Sequence, residues 1–178
     1  MSITMSYRRL SPEALTTLEN DSKAEENYFY GDDAHDNTIS VYNDVFDASV
    51  TRLELEKEWQ AIHYLLTGEI DFNSDNLSPS HQVVMGGTPT KWESSYGPIR
   101  LLSTEEVKKC AMELNALPKE VLRARFETRG DAQIYGQDDT WNENDEDAWE
   151  IVLQTSSCVA QFFDQAAREN QVILISSD

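Results

Sequence analysis

The sequence predicts an α+β fold: a single compact domain over residues 1–178, with several helices packed on a small mixed sheet that includes N- and C-terminal strands. Three observations predict it. Runs of β-type residues stand at the two ends of the chain. Capped segments of helical period fill most of the space between them. Strand and helix signals never settle into the regular alternation of a parallel βαβ sheet.

Residues 2–7 alternate through Ile3, Met5 and Tyr7 and read as a strand. Ser11-Pro12-Glu13 starts a helix, with a capping hydroxyl, proline at the first helical position and an acid in the first turn. Leu15 and Leu18 give that helix an apolar edge, and it ends near Asp21. Tyr28, Phe29 and Tyr30 run into the break Gly31-Asp32-Asp33. Residues 37–50 have no clean period and read as irregular or weakly helical. Residues 55–66 form the clearest helix: Leu55, Trp59, Ile62 and Leu66 share one face, acids and Lys57 take the other, and Gly68 can supply the left-handed end.

Residues 71–80 and 88–97 read as loops on either side of a short apolar piece, 83–85. Residues 99–102 are a strand or an extended lead-in. Ser103 and Glu106 then make a capping box, and Val107, Cys110, Ala111 and Leu114 line the helix that follows. Pro118 separates it from a short basic helix at 119–126. A long helix covers 146–169, with Trp149, Val152, Val159, Phe162, Phe163 and Ala166 on its core side. Asn170-Gln171 breaks it, and 172–175 is a buried strand.

The chain carries 33 acids against 14 bases, a formal charge of -19. Phosphate backbones and anionic membrane surfaces need clustered Lys and Arg, so both are excluded as partners. A basic protein partner, or plain solubility, fits the charge. Cys110 and Cys158 lie on apolar helix faces and read as reduced core thiols in a cytoplasmic protein. No signal peptide and no apolar run of membrane-spanning length is visible.

The common catalytic and phosphate-binding spacings are missing, and His35, His63 and His81 lack metal-type spacing, so no metal or cofactor is expected. The segment Asp71-Phe72-Asn73-Ser74-Asp75 begins like a calcium loop but lacks its glycine. His63 stands four residues after Trp59 and stacks along the same helical face. It is either a general base or donor at a cleft, or a half-buried structural imidazole. Gly86, Gly87 and Gly97 bracket a loop that ends at Arg100. That loop either cradles a ligand, with Arg100 as an anion fork, or is turn geometry with a structural ion pair. The seven acids of 138–150 read as a solvated face, with cation or basic-partner binding as the other possibility. Trp92 and Trp141 fall in loop-like segments and serve either an interface or the core rim.

The string from Leu53 to Gly68, Leu-Glu-Leu-Glu-Lys-Glu-Trp-Gln-Ala-Ile-His-Tyr-Leu-Leu-Thr-Gly, resembles the hallmark of the YfbM-like bacterial proteins. Tyr7-Arg8-Arg9-Leu10-Ser11-Pro12-Glu13, Val84-Met85-Gly86-Gly87 and Tyr96-Gly97-Pro98-Ile99-Arg100 are similar to that family too, as are 103–114 and 162–175. The resemblance implies a compact α+β domain of the bacterial cytoplasm. It implies no activity, because the family's function is unknown and it offers no catalytic residues to carry over. Some small acidic proteins of this kind serve as immunity or inhibitor partners of toxins. The chain departs from the family pattern in its acidic stretch at 138–150.

Two functions are consistent with these features. The first is a non-enzymatic acidic cytoplasmic binding protein, an immunity- or inhibitor-type partner of a basic protein. The alternative is a small enzyme or ligand-binding protein with a cleft around Trp59, His63, Tyr96 and Arg100. The position of His63, beside Arg100 in a cleft or packed in the core, separates them.

Overall fold

The computed structural model describes residues 3–31, 38–40, 46, 48–72, 75–129, 134–135 and 146–178. His35, Trp141, residues 138–145 of the acidic run, most of 37–47, and Asn73-Ser74 lie outside the described residues. Among the described residues the element order is β1 (Met5–Leu10), α1 (Pro12–Asn20), α2 (Ser22–Tyr30), β2 (Thr38–Ser40), β3 (Arg52–Leu55), α3 (Trp59–Thr67) and α4 (Pro79–Met85). It continues through β4 (Thr88–Ser94), β5 (Gly97–Leu102), α5 (Thr104–Ala116), α6 (Lys119–Glu127), α7 (Glu146–Arg168) and β6 (Val172–Ser177).

The strands form one mixed sheet in the order β2-β3-β1-β6-β5-β4. β2 runs parallel to β3, and the other neighbours are antiparallel. The first and last strands are therefore central and adjacent, as the α+β reading expects. Antiparallel partners share a face. Leu53, Tyr7 and Ile175 form one such row. On that face Tyr7 meets Phe162 and Phe163 of α7 edge-on, at centroid distances of 6.5 and 6.2 Å. The main core gathers there, with Ile62 and Leu65 of α3 and Val107 and Cys110 of α5. The opposite face carries Leu10, Val172 and Leu174, closed by Leu18 and Phe29 of the α1–α2 hairpin and by Trp92 and Ile99.

The caps follow the sequence. The Ser11 hydroxyl accepts from the Ala14 amide, and Ser103 and Glu106 form the expected capping box. Gly68 ends α3 in the left-handed region, with φ of 79°. Asp21 terminates α1 and caps α2 through its carboxylate. The sequence reading left α2 unassigned because its apolar side is only three aromatic residues long.

Three other expectations are corrected. Leu55 belongs to β3, not to the helix: Leu53 and Leu55 alternate inward with period two, and the turn at 56–58 separates them from α3. Residues 88–94 are a strand, not a loop, because pairing with β5 outweighs their polar composition. The apolar piece at 83–85 is the end of α4, which starts at Pro79.

Arg9 is nearly fully buried yet engages all three of its guanidinium nitrogens. Nε donates to the Val50 carbonyl at 2.7 Å and Nη2 to the Ala48 carbonyl at 2.6 Å. Nη1 donates to Glu169 and Gln171, both at 2.7 Å. This side chain clips the turn after α7 to the chain entering β3. Replacement by Met leaves the buried Val50 carbonyl without its donor and breaks the bonds to the more exposed Ala48, Glu169 and Gln171, and we expect Arg9→Met to lower unfolding free energy by about 1–3 kcal/mol. Urea denaturation measures this, and a loss within experimental error would show that the clip is dispensable.

Candidate functional site

Helix α3 turns Trp59, Ile62 and Leu66 into the core, and His63 follows Ile62 inward. His63 is 0% exposed. Its ring lies over Phe72 with centroids 4.0 Å apart. Nε2–H donates to the Asp71 carbonyl at 3.3 Å. A carbonyl only accepts, so this bond fixes the tautomer and leaves Nδ1 with a lone pair. Among the described residues that lone pair has no partner. Burial holds the His63 pKa below its ordinary value, and His81 adds to the shift; the Asp71 carbonyl and Glu69 oppose it.

Ser78-Pro79 opens α4 with the same signature that opens α1, serine followed by proline. Unlike the Ser11 hydroxyl, the Ser78 hydroxyl makes no bond to a backbone amide of its helix. Its Oγ–H instead donates to Nδ1 of His81 at 2.8 Å, and His81 Nε2–H donates to the Glu69 carboxylate at 3.2 Å. The chain resembles a hydroxyl–imidazole–carboxylate relay. Ser78 does not line the adjoining cavity, so the relay's visible effect is to orient His81, whose ring meets His63 edge-on at 5.5 Å.

Arg100 reaches the same place from β5. It shares a row with Ile175, and hence with Tyr7. Nε donates to the Gly86 carbonyl at 3.1 Å and Nη2 to the Gly87 carbonyl at 2.6 Å. Gly87 has φ of 83°, and a Cβ there would lie 2.4 Å from the Leu101 carbonyl oxygen, so the position demands glycine. Its amide donates to Gln82 Oε1 at 2.8 Å.

These elements enclose a cavity of about 140 Å³ lined by His63, Phe72, Asn76, Leu77, His81, Gln82, Met85, Gly86, Gly87 and Arg100. Of the residues singled out in the sequence, the structure brings together His63, Arg100, Gly86 and Gly87. It leaves out three. Trp59 is buried between Phe72 and Tyr135, and its indole N–H donates to the Ile3 carbonyl at 3.0 Å. Tyr96 and Gly97 sit at the β4–β5 turn and line a separate depression that shares Arg100 and Met85 with the cavity. The sequence reading missed Gln82, Leu77 and the role of His81. The repeated Ser-Pro helix start is the signal that would have placed α4 and with it all three.

Among the described residues, no group of three or more His, Cys, Asp or Glu side chains gathers closely enough to hold a metal ion. Among the same residues, no helix is long and apolar enough to cross a membrane.

No curated protein matches the chain. A solved structure, of a protein of unknown function YfbM from Escherichia coli, superposes with a TM-score of 0.67 at 16% sequence identity, covering 98% of this chain and 99% of that one. At that identity the likeness speaks for the fold. The family described as Domain of unknown function (DUF1877) matches residues 1–176. Its match over almost the whole length, with the shared fold, places this chain in the YfbM-like DUF1877 family.

Proposed function

We propose that this chain is a binding protein whose recognition site is the cavity between α3, α4 and β5. One observation carries the proposal: a buried imidazole with an unspent lone pair and a partly spent guanidinium line the same small cavity. An unpartnered buried acceptor costs about 1–3 kcal/mol, and a ligand that donates to it recovers that cost. Apolar side chains with a few convergent polar groups are the usual composition of a ligand site. Among the described residues the lining offers imidazole, amide and guanidinium groups, which suit recognition of a polar ligand.

A second reading rests on the charge of -19. Much of the cationic complement is already engaged within the fold: Arg9 with Glu169, Lys91 with Glu25, Lys108 with Glu105, Arg123 with Glu127 and Glu146, and Arg168 with Asp164. The remaining surface charge is strongly negative and suits a basic protein partner of the immunity or inhibitor type. This reading takes the bacterial cytoplasm as its setting. Cys110 and Cys158 support it, since both thiols are free and buried and burial pushes Cys110 up to about 12.

For the cavity, a fragment screen followed by amide NMR should give shift changes clustered on His63, His81, Gly86, Gly87 and Arg100. Changes confined to other surfaces would remove the cavity from consideration. For the partner, capture from the host at low ionic strength should yield one stoichiometric basic protein, released as salt rises. Retention that ignores salt would argue against charge as the driving term.

The His63 environment also fixes a pH dependence. Its folded pKa lies below the unfolded value near 6.5, so the unfolded chain takes the proton first as pH falls. This contribution to stability is full above that value and is lost as pH drops from there toward the folded pKa. His63→Phe keeps the ring stacking and removes the titration. Between neutral pH and pH 5 the variant should lose less stability than wild type, the difference accumulating at up to about 1.4 kcal/mol per pH unit. Parallel curves for the two proteins, from thermal unfolding, would show that His63 does not titrate between the two states.

A further inference from the structure

Hydrogen-bond capacity left unspent around the cavity selects a ligand, and the inference rests on reading the cavity as a ligand site. Gln82 has both polar atoms engaged: Oε1 accepts from the Gly87 amide, and Nε2 donates to the Asn76 carbonyl at 3.1 Å. His81 has both nitrogens engaged, by Ser78 and Glu69. Asn76 Oδ1 accepts from the Ser78 amide at 3.0 Å, which leaves its Nδ2 as a donor. Arg100 spends Nε and Nη2 on the two glycine carbonyls and retains Nη1. On the acceptor side, His63 Nδ1 has no partner among the described residues. The atoms left with no bond are one on a cationic donor, one on a neutral donor and one neutral acceptor, in a lining that also includes Phe72, Leu77 and Met85.

We propose that this cavity binds a small carboxylate that also carries a hydroxyl or ammonium donor. The carboxylate lies toward Arg100 Nη1 and Asn76 Nδ2, and the donor lies on His63 Nδ1. A volume of about 140 Å³ limits the enclosed part of the ligand, since a cavity of about 150 Å³ takes a molecule the size of benzene. A charge-assisted bond to guanidinium supplies the stronger anchor. The bond to the buried Nδ1 supplies selectivity, because a ligand lacking the donor leaves that lone pair unsatisfied.

The test is an NMR titration of the full chain, labelled with nitrogen-15, with four probes of similar size: lactate, alanine, propionate and 1,2-propanediol. Lactate or alanine should bind about ten-fold more tightly than propionate or the diol, and should move the His63 Nδ1 resonance. Lactate against alanine distinguishes a hydroxyl donor from an ammonium donor. Leu77 at the mouth is 75% exposed, so Leu77→Glu leaves the fold intact. Measured against the neutral control Leu77→Gln, it should weaken the favoured carboxylate about two- to five-fold, with a smaller change for the uncharged diol. Equal or better binding of propionate or the diol overturns the ligand class while keeping the cavity as a site, as does a carboxylate affinity indifferent to Leu77→Glu. If none of the four probes, nor benzene, perturbs the cavity resonances, the cavity itself is not a binding site and both proposals fall.

Discussion

The site depends on one row of residues that crosses four strands: Leu53, Tyr7, Ile175 and Arg100 on β3, β1, β6 and β5. Ladder hydrogen bonds set this register, and the core face makes it unique, since a slip of one residue would turn every inward side chain outward. Two members of the row then reach beyond the sheet. The Tyr7 hydroxyl donates to the Val84 carbonyl at 3.4 Å, and Arg100 donates to the carbonyls of Gly86 and Gly87. The last carbonyls of a helix have no partner within it, so the sheet supplies partners for the end of α4. A guanidinium is also the charge that a helix C-terminus favours. The pairing of the chain's first and last strands thereby positions α4, and α4 carries His81 and Gln82 to the cavity.

Elements that bury a regular stripe were legible from sequence, because periodicity survives without knowledge of partners. α3, α5 and α7 show this, each with inward residues at helical spacing and two of them with readable ends. β6 was legible as an unbroken apolar run. β4 was not: its burial pattern leaves only Trp92 fully inside, and its strand character comes from the β5 ladder. β3 was hidden for the opposite reason, since Leu55 fits the α3 period and the strand period equally well. Only the neighbour at Met5 decides between them.

The same distinction runs through the site. Trp59 and His63 were grouped because they are neighbours on one helix; both rings meet Phe72, but beyond it they turn toward different partners. Trp59 meets Tyr135 and the Ile3 carbonyl, while His63 meets Asp71 and the α4 side. Tyr96 and Arg100 were grouped by sequence proximity, yet they lie on a turn and on the strand that leaves it. Arg100 and Met85 line both depressions, while Tyr96 lines only the second. Gly86 and Gly87 were legible as a close backbone approach. The approaching group was not, because Gln82, Leu101 and Arg100 converge there only after the strands pair.

A carboxylate ligand in a chain with a charge of -19 needs a physical justification, since the whole surface repels it at long range. Solvent-exposed charges are screened beyond about 8 Å at physiological ionic strength, so most of those acids act on approach rather than on the bound state. Inside the cavity the balance is local. Among the described residues no acid stands in the lining, and the Glu69 carboxylate is engaged by His81. Arg100 faces neutral carbonyls instead of a counter-ion, so its charge is not cancelled where it sits. The net field then slows entry and penalises any anion without a second contact. The affinity must come from a molecule that satisfies the guanidinium and the imidazole together. The unspent lone pair on His63 is what makes that requirement chemical rather than merely electrostatic.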